Sequence, residues 1–139
     1  MDAFTVDATV DGGIDAARRS RRLLESELRG RVPEAVLEDA ELLTTELVAN
    51  GVRHGGAGDD TALRIRLEGR PGSLRVEVAD PGSNPFRVAP READVENGGG
   101  IGLQLVDRVA RRWGVGQRAP TTVWFELECR CGQIRAAAV

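Results

Sequence analysis

Glu46, Asn50 and His54 recur at intervals of four in "ELVANGVRHGG". On a helix that spacing stacks three polar side chains on one stripe. An Asn carbonyl oxygen is a neutral hard ligand, suited to a Mg²⁺ that keeps most of its waters and binds substrate phosphates. A Glu one turn away can orient or deprotonate a hydroxyl nucleophile. The alternative is a pair of surface residues on an amphipathic helix. His54 is the only His of the chain, and a lone helical His is more often a cap than a catalyst. A second segment, "VEVADPGSN", closes on Asp80. Asp followed by Pro and Gly can simply turn the chain. It can also place a carboxylate at the floor of a pocket, to accept a hydrogen bond from an exocyclic amine such as the adenine N6. A third, "NGGGIGLQLVDRVA", has Gly98, Gly100 and Gly102 alternating at the start of a helix. Glycines let backbone N–H groups approach phosphate oxygens, and a helix N-terminus favours negative charge; a plain hinge is the alternative. The dinucleotide fingerprint is excluded. It needs a strand immediately before the glycines, whereas a long irregular stretch precedes them here and the last glycine comes one residue early.

These residues need elements to hold them. Phe4, Val6, Ala8 and Val10 alternate with polar residues and predict a short strand. Ile14, Ala17, Leu24 and Leu28 predict a helical stripe that Gly30 stops. Arg18, Arg19, Arg21 and Arg22 surround it, as a solvated basic face or a docking surface for an acidic partner. Pro33 suits the first turn of a second helix, running to about His54, with Val36, Ala40, Leu43 and Leu47 inward. "TALRIRLEG" and "SLRVEVAD", joined by a short turn-like link, predict an antiparallel hairpin. Residues 81–99 carry three prolines and no periodicity. A stretch of that length is usually functional or disordered, and residues 81–101 are expected to form a mobile lid that orders on nucleotide. A helix follows from near Gly102, with Leu103, Val106, Val109 and Ala110 on its apolar side. "RWGVGQ" and "TTVWFELEC" predict two last strands, the second with Val123, Phe125 and Leu127 on one face. Residues 130–139 read as a fraying tail. Segregated helices and hairpin-linked strands argue for an α+β sandwich with helices on one face of a mixed, mostly antiparallel sheet.

The 139 residues fit one domain, spanning 1–139, and one core. A net charge of −3 argues against direct nucleic-acid binding. No apolar run approaches the roughly 20 residues of a membrane span, and "MDAFTVDATVDGG" lacks a signal-peptide pattern. Both points suggest a cytoplasmic protein. All 19 basic residues are Arg, so a Walker-type phosphate loop and a Schiff-base enzyme, which need Lys, are excluded. Cys129 and Cys131 cannot form a zinc site alone and read as incidental thiols.

In order and spacing, the three segments resemble the nucleotide-binding boxes of the GHKL superfamily (gyrase, heat-shock chaperone, histidine kinase, MutL). "ELLTTELVANGVRHGG", "GGGIGLQLVDRVARRWGV" and "TTVWFEL" most resemble anti-sigma factor serine/threonine kinases and related short ATP-binding regulators. The resemblance covers nearly the whole chain. It implies a Bergerat-type two-layer α/β sandwich that binds ATP and Mg²⁺. It implies Glu46 as catalytic base, Asn50 as Mg²⁺ ligand and Asp80 as the adenine-binding residue, with Gly82 beside it. Gly98, Gly100 and Gly102 would face the phosphates. One departure is Asn84, which stands where the second glycine of the D-x-G-x-G pattern belongs. No phosphoacceptor-His helix is found, so the acceptor is expected on another protein. The implied partners are an anti-anti-sigma antagonist, phosphorylated on Ser or Thr, and a sigma factor; a homodimer stays open. A binding module that sequesters a regulator, and a bare ATPase, are the alternatives.

Overall fold

A computed structural model describes residues 2–54, 62–80, 101–116 and 121–129. The order is β1 (Phe4–Asp11), α1 (Ala16–Leu28), α2 (Glu34–His54), β2 (Ala62–Arg70), β3 (Gly72–Asp80), α3 (Ile101–Val109), β4 (Arg112–Val115) and β5 (Thr121–Cys129). The five strands form one sheet in the order β1-β2-β3-β5-β4, with every pairing antiparallel. This is the α+β sandwich that the patterning implies. No helix among the described residues is long and apolar enough to cross a membrane.

Strand alternation decides which face is covered. Leu63, Ile65 and Leu67 of β2, Leu74, Val76 and Val78 of β3, and Val123, Phe125 and Leu127 of β5 are buried. The register sets them side by side, Leu67 opposite Val76 and Val76 opposite Phe125. Full burial of such side chains stabilises by about 1.5–3 kcal/mol each. α2 lies over β3 and β5 and also packs against α1 and α3. The other face is a charge ladder. Arg75 bonds Glu77 (2.9 Å) and Glu126 (3.3 Å) and lies 4.1 Å over the Trp124 ring; Arg112 grips Glu126 with two nitrogens. Two glycines make room for rings on neighbouring strands. A Cβ at Gly69 would come 2.1 Å from the Phe4 ring, and one at Gly114 2.9 Å from the Trp124 indole. The β2–β3 hairpin turns through Pro71 and Gly72, whose φ of 88° is what the third position of a type II turn requires.

Two helical stripes differ from expectation. Ile14 lies before α1 and is 94% exposed, and Ala17 is only half-buried. The buried stripe is Ala16, Ser20, Leu24 and Leu28. The chain enters α1 through Gly13, whose φ is 96°, and so Ile14 is never part of the helical repeat. On α2 the buried set is Leu37, Ala40, Leu43, Leu47 and Val48, while Val36 is half-buried. The helix is covered by both α1 and the sheet, so its apolar face is wider than one stripe. Gly30, at φ 86°, ends α1 as expected, and the Arg31 and Val32 N–H groups both donate to the Leu28 carbonyl. Cys129 is buried. Cys131, the expected tail 130–139 and residues 81–100 of the expected lid lie outside the described residues.

Two side chains on α2 are held against their preference. Thr44 is fully buried and its Oγ1 has no hydrogen-bond partner. A buried unsatisfied hydroxyl costs about 1–3 kcal/mol. Thr44→Val keeps the shape and should raise unfolding stability by about 1 kcal/mol in urea melts. Glu41 faces Glu25 of α1. Burial first, then its hydrogen bond to Glu25, raises the Glu41 pKa above the ordinary carboxylate value. Arg29, which chelates Glu25, is the largest cause of the opposite shift in Glu25, followed by the bond to Glu41. The folded state therefore holds the Glu41 proton to higher pH than the unfolded chain does. That contribution is full below the unfolded pKa and is lost as pH rises through the folded one. Glu41→Gln should raise the melting temperature at neutral pH and leave it nearly unchanged at the acid end of that window.

Candidate functional site

α2 carries the first two candidate residues. Val48, Leu47 and Leu43 bury one side of its second half, and Asn50 comes at the edge of that side. Asn50 is 2% exposed and Glu46, one turn earlier, is half-buried. The pair is therefore not a solvated stripe. A buried amide in this position has to be held by polar partners, whereas a purely packing helix would carry an apolar residue there. His54 ends α2; its side chain lies outside the described set.

Asp80 is the last residue of β3, where its Cα pairs with Thr121 at the start of β5. The alternating pattern that buries Val76 and Val78 carries the strand to this point. Gly102 is in the first turn of α3, a helix that begins at Ile101. Gly82, Asn84, Gly98 and Gly100 lie outside the described residues. α2 packs against β3, β5 and α3. The packing thus gathers the elements carrying Glu46, Asn50, Asp80 and Gly102 around one helix. Among the described residues, one cavity lies on the open sheet face beside Arg75 and two lie at Phe4 near the start of β1.

The donor set fits one kind of metal binding. Among the described residues there is no group of three or more His, Cys, Asp or Glu that could form a cage. Asn50 offers a single amide oxygen. Such a set suits Mg²⁺ held mainly by waters and substrate phosphates. The residues present fit such an ion: Asn50 would be its protein ligand, with half-buried Glu46 one turn away.

Sequence patterning leaves some positioning contacts unseen. The Trp113 Nε1–H donates to Asp107 Oδ1 at 2.9 Å, tying the last turns of α3 to β4. The Ala110 N–H donates to the Val106 carbonyl, and the Arg111 N–H to Glu126 of β5. Together these fix where α3 leaves the sheet, and so the direction in which its N-terminus points. The Trp113–Asp107 contact crosses a change of element, so no helical or strand period could have disclosed it.

Known proteins place this arrangement. A protein of Streptomyces coelicolor, itself uncharacterised, is 40% identical over 75 residues, covering 53% of this chain and 70% of its own. A crystal structure of the RsbU and RsbW domains of Rv1364c from Mycobacterium tuberculosis superposes with a TM-score of 0.64 at 22% identity. That match covers 91% of this chain and 32% of the solved one, so the chain spans about a third of that protein's length and the likeness shows the fold. The model of the histidine kinase-like ATPase domain matches residues 13–126. With the sandwich, the order of its elements and a match over most of its length, the chain belongs to the histidine kinase-like ATPase domain family.

Proposed function

We propose that the chain is a Mg²⁺–ATP-dependent protein serine/threonine kinase of the anti-sigma type, acting on a protein regulator of transcription. Membership in an ATPase domain family implies ATP as the ligand. The observation that carries the reading further is the burial of Asn50 beside half-buried Glu46 on the helix against which β3 and α3 both pack. The anti-sigma part rests on the resemblance of the α2, α3 and β5 segments to those kinases. The partners would be an antagonist with a Ser or Thr acceptor and a sigma factor.

In this reading Asp80 accepts a hydrogen bond from the adenine amine, with Gly82 beside it. Gly98, Gly100 and Gly102 bring backbone N–H groups to the phosphates at the start of α3. Asn50 Oδ1 would hold a Mg²⁺, which would supply neutralising charge for the phosphate oxygens. Glu46 takes the proton of the partner hydroxyl. The hydroxyl oxygen forms a bond to the γ-phosphorus as the bond between that phosphorus and the bridging oxygen breaks, and ADP leaves. Such transfer is mostly positioning and charge stabilisation. Helix-borne Glu46 and Asn50 are suited to it, because packing fixes α2 over most of its length.

Three variants test the assignment at the base of the pocket and at the reacting end. Asp80→Asn puts an amide where adenine needs an acceptor. Calorimetry should show ATP affinity reduced roughly 10- to 100-fold, the loss of one hydrogen bond to a charged group; unchanged affinity would remove Asp80 from the site. Glu46→Gln should still bind ATP but lose labelled phosphate transfer to a co-purified partner by about 10²–10⁴-fold. Asn50→Ala should lose both Mg²⁺-dependent binding and transfer, with melts first showing both variants folded. If the wild type transfers nothing yet holds a sigma factor, the chain is a sequestering binder. Turnover of ATP without a partner, at the same rate as with one, would make it a bare ATPase.

A further inference from the structure

α3 is lightly held. Among its residues 104–109 only Val106 is fully buried; Leu105 and Val109 are half-buried, and Gln104, Asp107 and Arg108 are exposed. It packs against α2 and against the short strand β4. A helix of nine residues is marginal without tertiary support, and a single buried position resists rolling about the helix axis poorly. The bond from Trp113 Nε1–H to Asp107 Oδ1, at 2.9 Å, supplies a second restraint. Asp107 follows Val106, so the two restraints lie about 100° apart around the helix. Trp113 is itself anchored, paired with Phe125 across β4 and β5, with its half-buried ring packed on the core. Asp107 stands in the last turn of α3, where a carboxylate opposes the helix dipole. Helix stability alone does not favour an acid at that position; the indole contact gives it a purpose.

We propose that Asp107 and Trp113 are positioning residues for the nucleotide phosphates, a role that rests on the ATP reading of this site. The indole N–H fixes the roll of α3, and the roll sets where the backbone N–H groups of its first turn, around Gly102, point. Cα atoms lie about 2.3 Å from a helix axis, so a roll of about 20° carries the first turn through about 0.8 Å. Productive geometry tolerates about 0.5 Å. Loss of this one hydrogen bond therefore leaves α3 folded on Val106 but its N-terminus misplaced. The adenine end is insulated from that roll, because Asp80 belongs to β3, the central strand of the sheet. Asp107 and Trp113 thus act on the phosphate end of the ligand and not on the base.

Calorimetry of the whole chain with ATP, and with adenosine by competition, tests this on three single variants and one double. Trp113→Phe keeps a ring on the core and loses the N–H. Asp107→Ala loses the acceptor, and Asp107→Asn keeps an oxygen acceptor. Trp113→Phe and Asp107→Ala should each weaken ATP roughly tenfold, leave adenosine unchanged, and together cost no more than either alone. Asp107→Asn should bind ATP nearly as wild type does. Asp107→Ala also removes an acid from the helix C-terminus and adds the best helix former, so its melting temperature should hold while its ATP affinity falls. If Trp113→Phe fails to fold, the two Asp107 variants, at an exposed position, decide alone. Equal losses for ATP and adenosine, losses that add in the double variant, or no loss at all would overturn the positioning role. A wild type that binds ATP with every variant unchanged removes this role only; a wild type that binds no ATP removes the nucleotide reading itself, and this role with it.

Discussion

The burial of α2 is the constraint on which the rest depends. One helix of 21 residues closes the core over β3 and β5, receives α1 on one side and α3 on the other, and carries Glu46 and Asn50. Close packing leaves such a helix little freedom to shift, because interiors at crystal-like density transmit displacement rather than absorb it. Two polar side chains on it are thereby fixed relative to the end of β3. The cost is visible nearby: Thr44 is buried without a hydrogen bond, and Glu41 and Glu25 face each other between α1 and α2. A surface helix would have neither.

The two faces of the sheet divide the work. Among the described residues the covered face is almost wholly aliphatic, with Phe125 its one fully buried ring. The open face is held by alternating charge, Arg66 with Asp7 and Glu68, Arg75 with Glu77 and Glu126, Arg112 with Glu126. Isolated exposed pairs contribute little. A connected ladder over half-buried Arg75 and Trp124 contributes more, and it keeps that face from joining other apolar surfaces.

Much of this was legible in the amino-acid sequence, for identifiable reasons. Strand alternation is a period of two and survives local noise, so Leu63 to Leu67, Leu74 to Val78 and Val123 to Leu127 read correctly. The helix ends were marked by Pro33 and Gly30. The stripe on α1 read correctly at Leu24 and Leu28 but not in its first turns, where Ile14 follows a glycine at positive φ and never joins the helix and Ala16, not Ala17, is buried. Val36 was misplaced because α2 is covered from two directions, which a single-face reading cannot anticipate. Contacts between elements, such as Arg75 on Trp124, Glu25 with Glu41 and Trp113 with Asp107, depend on register and packing that no local period encodes. For the site, sequence disclosed residue types and order; the fold adds the burial of Asn50 and the gathering of α2, β3 and α3.

The central claim is that Asn50 and its neighbours form a metal–nucleotide site and not a buried polar patch. Titration calorimetry of the wild-type chain with ATP, in Mg²⁺ and again in excess EDTA, tests it most directly. The account predicts one saturable site with clearly tighter binding in Mg²⁺. Saturable binding of equal strength in both conditions would contradict the metal role of Asn50, and no binding in either would contradict the nucleotide site itself.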